Sequence, residues 1–76
     1  MIRYRSIQKR VLLEETGPYT AYGLLAEEYA DDSWRAIAVV PDISCDKAFV
    51  AQLAEKCTRG QLSPIQMLDV VADALS

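Results

Sequence analysis

The chain contains no histidine, which removes Ser–His and Cys–His nucleophile pairs and imidazole metal sites together. Glycine occurs only three times, and none of the three sits in a phosphate-cradling loop. The two cysteines, Cys45 and Cys57, are too few for a disulfide framework. Both fall on one predicted helix, where twelve residues at about 1.5 Å rise hold them roughly 18 Å apart, well beyond the ~7 Å a disulfide permits. Apolar runs extend over a handful of residues, against the ~20 needed to cross a bilayer. No basic-then-apolar leader opens the sequence. These absences predict a cytoplasmic protein without disulfides, cofactor or membrane span.

What the chain does have is apolar residues, 51% of its 76 positions. That length admits one domain, residues 1–76, burying only about 60% of the surface that the unfolded chain exposes. A core of this size supplies few kcal/mol alone, so a partner or a second copy would add stability. The net charge of −3 makes nucleic acid an improbable partner, because affinity for phosphates comes from Lys and Arg.

The strongest local signal lies between Trp34 and Cys57. Trp34 to Val40 is short and rich in β-branched and aromatic residues, so it predicts a central strand closed by Pro41. Ser44 is the expected N-cap of the following helix, with Asp46 in its first turn and Phe49, Val50, Leu53 and Cys57 as its apolar stripe. Before this stretch, Ile2 to Leu13 and Tyr19 to Glu28 predict two strands. The first is joined to the second by Glu15-Thr16-Gly17-Pro18, and the second to Trp34 by a reversal over Tyr29 to Ser33. Connections this short make neighbouring antiparallel strands. Gly60 is expected to end the first helix in the left-handed conformation. Ser63, Pro64 and Gln66 then form a capping box that starts a second helix. Its predicted buried face is Ile65, Leu68, Val71, Ala72 and Leu75. The fold class that follows is α+β: a three-stranded antiparallel meander followed by two helices, β-β-β-α-α, in two layers.

Asp42-Ile43-Ser44-Cys45-Asp46, Leu62-Ser63-Pro64 and Leu68-Asp69-Val70-Val71-Ala72-Asp73, with the Tyr22-Gly23 strand, resemble a family of small uncharacterised domains. That family belongs to Gram-positive anaerobic bacteria and their mobile elements. The resemblance covers the second half of the chain and this strand. It implies a bacterial or phage origin and brings no catalytic residues with it.

Candidate chemistry is thin. Cys45, placed in the first turn of a helix, could be an activated thiolate, but Asp42 and Asp46 flank it and oppose the shift. Asp69 and Asp73, one helical turn apart, could share a divalent cation, yet like charges at this spacing are ordinarily a solvated face. Arg3, Arg5, Lys9 and Arg10 place four of the eight basic residues in the first ten positions. Opposite the acidic second strand they predict cross-strand ion pairs and an edge guarded by charge. The sharper alternative is a nucleic-acid strip with Tyr4 as a stacking platform. A non-enzymatic role is therefore expected.

Both faces of the predicted sheet are apolar. If both helices cover one face, the other is left bare; alternatively one helix packs on each face, or the N-terminal strand curls across. The face assigned to an interface consists of Trp34, Ala36, Ala38 and Val40 from the third strand and Tyr22 and Leu24 from the second. The expected function is a non-catalytic protein-interaction or regulatory module, whose partner is another protein or a second copy in a homodimer. The alternatives are an acidic phage or mobile-element inhibitor of a host nucleic-acid enzyme, and an enzyme or metal-dependent protein with chemistry the sequence does not display.

Overall fold

Two hairpins and two capped helices follow from local chemistry. The computed structural model describes every residue except Glu14 and Thr16, and of Leu13 the main chain alone. The elements are β1 (Ile2–Leu13), β2 (Gly17–Ala30), β3 (Ser33–Ser44), α1 (Lys47–Arg59) and α2 (Pro64–Leu75). The strands form one antiparallel sheet in the order β1-β2-β3, the meander that the short connections require. Asp31 and Asp32 both take positive φ, 53° and 64°, and Ala30 pairs with Ser33. This is the two-residue turn whose twist matches the strands, and aspartate tolerates it better than most residues. Of the expected first turn, Thr16 lies outside the described residues; Gly17 supplies a φ of 77°.

β1 and β2 pair without interruption from Ile2↔Glu28 to Leu13↔Gly17. The pairing of β2 with β3 shifts twice, between Ala26 and Glu27 and between Tyr22 and Leu24. At the first shift Ala26 faces Ala38 and Glu27 faces Ala36, so Ile37 is an extra residue, a β-bulge. At the second, Gly23 lies under the main chain of Val40 and Pro41; a Cβ there would approach the Pro41 carbonyl carbon to 2.6 Å. Only glycine fits this crossing. Pro41 consequently does not close the strand. β3 is an edge strand, tolerates a missing N–H, and continues to Ser44, which brings Ile43 into the core.

That extension moves the start of α1. Asp46, not Ser44, is the N-cap, its carboxylate accepting from the Phe49 N–H at 3.2 Å, while the Ser44 hydroxyl accepts from the Asp46 N–H at 3.0 Å. Cys45 therefore precedes the helix. At the other end Gly60 is right-handed, with φ −79°, and Gln61 takes the left-handed position at φ 48°. The Leu62 N–H donates to the Cys57 carbonyl at 3.2 Å and the Gln61 N–H to the Thr58 carbonyl at 3.0 Å, which is a Schellman termination with glutamine where glycine is usual. The capping box of α2 is as expected: the Ser63 hydroxyl accepts from the Gln66 N–H and the Gln66 side chain from the Ser63 N–H.

Both helices lie on one face of the sheet. Tyr4, Leu24, Ala26 and Ile43 form a single core with Val50, Leu53, Ala54 and Cys57 of α1 and Met67 and Val71 of α2. Ile2, Tyr22, Ala38 and Val40 border it. α2 is rotated from the expected face. Met67 and Val71 are buried, whereas Ile65, Leu68, Ala72 and Leu75 are exposed. Apolar residues surround much of this helix, so periodicity alone does not select the side that packs; the long, unbranched Met67 is fully buried in the same core as Val50 and Cys57. No helix among the described residues is long and apolar enough to cross a membrane.

Candidate interaction surface on the open sheet face

Alternation along β1 and β2 sends Arg3, Arg5, Leu25, Glu27 and Tyr29 away from the helices. Arg3 Nε donates to Glu27 Oε1 at 2.9 Å, and Arg5 Nε lies 3.6 Å from the same oxygen, the cross-strand pairing that a basic strand beside an acidic one predicts. The Arg3 guanidinium also lies 4.0 Å above the Trp34 ring. Tyr29, directly opposite Trp34 in the ladder, meets that ring edge-on at 5.3 Å and 62°. One arginine thus ties a carboxylate to an aromatic pair by charge and by the ring's negative face. Beyond this cluster stand Ile37, 41% exposed, and Val39, 54% exposed. With Tyr29, Trp34 and Leu25 they form an apolar band that neither helix covers.

The six residues assigned to the interface from sequence divide between the two faces. Trp34 and Ala36 are on the open side. Leu24 is fully buried in the core, and Tyr22, Ala38 and Val40 pack against that core under the helices. The bulge at Ile37 is the cause: a one-residue insertion reverses the facing of all residues beyond it, so positions 34 and 36 no longer share a side with 38 and 40. Strict alternation accordingly missed Ile37 and Val39. Ala36-Ile37-Ala38 carries no residue that announces a bulge, so the local sequence held no signal for it; Tyr29 and Leu25 follow from β2 once Leu24 is placed inside.

Other candidate groups are separated from one another. Tyr4 is buried, its hydroxyl donating to the Leu62 carbonyl at 2.6 Å, which removes it as a stacking platform. Burial pushes the Tyr4 hydroxyl pKa up, with a smaller contribution from nearby Cys57. Burial likewise pushes the Cys57 thiol up, against a smaller lowering by Lys56. A protonated, enclosed thiol is a packing group. Cys45 is free and exposed. Asp69 and Asp73 are exposed on α2, and among the described residues no three Cys, Asp or Glu side chains converge.

A three-stranded sheet with both helices on one side and an aromatic cluster on its other side defines a small two-layer α+β domain. The chain belongs to the family of unknown function DUF6514, whose profile matches residues 1–76. No curated protein and no solved structure matches it.

Proposed function

We propose that the protein is a non-catalytic interaction module that docks through its open sheet face, with a second copy of itself as the partner. The observation that carries this reading is the joint exposure of Tyr29, Ile37 and Val39 beside the half-buried Trp34, on a face that no other element covers. Contiguous apolar surface of this kind ordinarily marks an interface. Arg3 and Arg5 already share the Glu27 carboxylate, so the charge beside the band is neutralised in part, and a twofold axis can lay the band on itself. The setting that suits this reading is the cytoplasm of a Gram-positive bacterium or its mobile element, where the two free thiols remain reduced.

Light scattering at micromolar concentration tests it. A dimer is expected, and Val39→Asp should weaken it by about 2 kcal/mol or more, the scale of a central interface residue, while leaving the monomer folded because Val39 is already half exposed. A monomer at all concentrations, or a dimer indifferent to Val39→Asp and Ile37→Asp alike, overturns the reading.

A further inference from the structure

β1 is an edge strand whose outer rim is treated differently along its two halves. The Met1 carbonyl accepts from the Tyr29 N–H at 3.0 Å, so odd-numbered residues of β1 bond to β2 and even-numbered residues turn their N–H and C=O outward. At Ile2 and Tyr4 these outward groups are met by side chains from the end of α1. The Ile2 N–H donates to Gln61 Oε1 at 3.0 Å, and Gln61 Nε2 donates to the Ile2 carbonyl at 2.9 Å. The Tyr4 N–H donates to Thr58 Oγ1 at 2.9 Å, and that hydroxyl, whose proton is shared between the Ala54 carbonyl at 2.8 Å and the Tyr4 carbonyl at 3.3 Å, covers the rim at this position. Thr58 and Gln61 thus stand in for a neighbouring strand. Glutamine, at a left-handed position where glycine would be unstrained, is explained by this clip, which only its amide can make.

The pattern stops there. Ser6, Gln8, Arg10 and Leu12 continue the outward row, all four exposed, and no hydrogen bond from another described residue meets their main chain. An edge of four unmet residues is a template for another strand. The opposite edge of the sheet is not equivalent, since β3 is broken by the Ile37 bulge and by Pro41, which has no N–H.

We propose that the Ser6–Leu12 edge is a strand-addition site for an acidic extended segment of a partner protein. Charge selects the occupant. Arg5 and Lys9 flank this rim on the open face and Arg10 on the helix face, all exposed. A second copy of β1 would bring its own Arg5, Lys9 and Arg10 against the same three charges, adding like charge to the rim in any register. A segment with adjacent acidic residues places one carboxylate beside Lys9 and the next beside Arg10, while its main chain supplies the missing ladder. The clip at Ile2 and Tyr4 ends the added strand and fixes its register. The site is separate from the apolar band and does not depend on self-association.

The test is residue-resolved amide hydrogen exchange of the intact protein with the blocked peptide Thr-Val-Glu-Glu-Val-Thr and its counterpart Thr-Val-Lys-Lys-Val-Thr. At a peptide concentration ten times its Kd, exchange at Ser6, Gln8, Arg10 and Leu12 should slow about tenfold, with Ile2 and Tyr4 unchanged and the lysine peptide without effect. Gln8→Pro removes an outward N–H that the sheet does not use and should abolish the slowing. Should that variant fail to fold, Lys9→Glu with Arg10→Glu leaves the main chain intact and should transfer binding to the lysine peptide. No slowing by the glutamate peptide, equal slowing by both peptides, or a charge-reversed variant that keeps its preference for glutamate overturns the proposal.

Discussion

The two faces of the sheet are drawn from the same three strands, yet one is the core and the other is bare. The covered face carries alanine at Ala26 and Ala38, paired across β2 and β3, and meets Ala54 of α1. The open face carries Tyr29, Trp34, Ile37 and Val39. The covered face also holds Tyr4, Tyr22, Leu24, Val40 and Ile43, so residue size does not separate the two faces; charge does, since among the described residues no charged side chain is buried in the core whereas the open face carries Arg3, Arg5 and Glu27. The helices take the side on which no charge has to be buried. The bulge at Ile37 divides β3, leaving Trp34 and Ala36 on the open face while Ala38 and Val40 beyond it turn to the core.

Paired truncations test the contrast most strongly. Leu24→Ala, under the helices, should destabilise by about 2–5 kcal/mol, while Val39→Ala, on the open face, should stay within about 0.5 kcal/mol. Urea denaturation of dilute protein, where association does not contribute, measures both. Equal losses would mean that the bare face is as well packed as the core, and the division into two faces would fall. A smaller but still substantial effect is expected at Gly23, where the crossing of β3 over β2 leaves no room for a methyl group. Gly23→Ala should cost about 1–3 kcal/mol, as overpacking does, and should broaden the amide signals of Val40 and Pro41's neighbours. A silent substitution would show that β3 crosses elsewhere, and with it that the facing of Val39 is different.

The fold was largely legible in the sequence because it is written in local chemistry: Asp31-Asp32 for a tight reversal, Ser63-Pro64 and Gln66 for a helix start, Val50, Leu53 and Cys57 for a buried stripe. The make-up of the open face was legible only in part. Trp34 and Ala36 lie where alternation placed them, on the open side, but Leu24, Tyr22, Ala38 and Val40 do not. A bulge is stabilised by what packs on either side of it, not by the residues that form it, so Ala36-Ile37-Ala38 gave no warning. The same holds for α2, where Ile65, Leu68, Ala72 and Leu75 make as good a stripe as Met67 and Val71. Tertiary shape chose between them. Gln61 is a third case: its role depends on reaching Ile2, fifty-nine positions away, which no local pattern encodes.

The smallest expected effect is an alkaline titration of the covered face. Tyr4 and Cys57 both belong to the core beneath the helices, and burial raises the pKa of each. A raised acid pKa means that folding favours the neutral form, so the unfolded chain holds fewer protons than the folded one above the ordinary values of 9.0 for the thiol and 10.0 for the phenol. Stability from these groups is then fully present below pH 9 and declines as pH rises through and beyond those values. Denaturation midpoints measured from neutral to alkaline pH should fall above pH 9, and Cys57→Ala should flatten the first part of that fall while Cys45→Ala leaves it unchanged. Thiol labelling gives the independent check: Cys45 should react in the native protein and Cys57 only on unfolding. A flat alkaline profile together with equal native labelling of both cysteines would place Cys57 at the surface and remove α1 from the covered face.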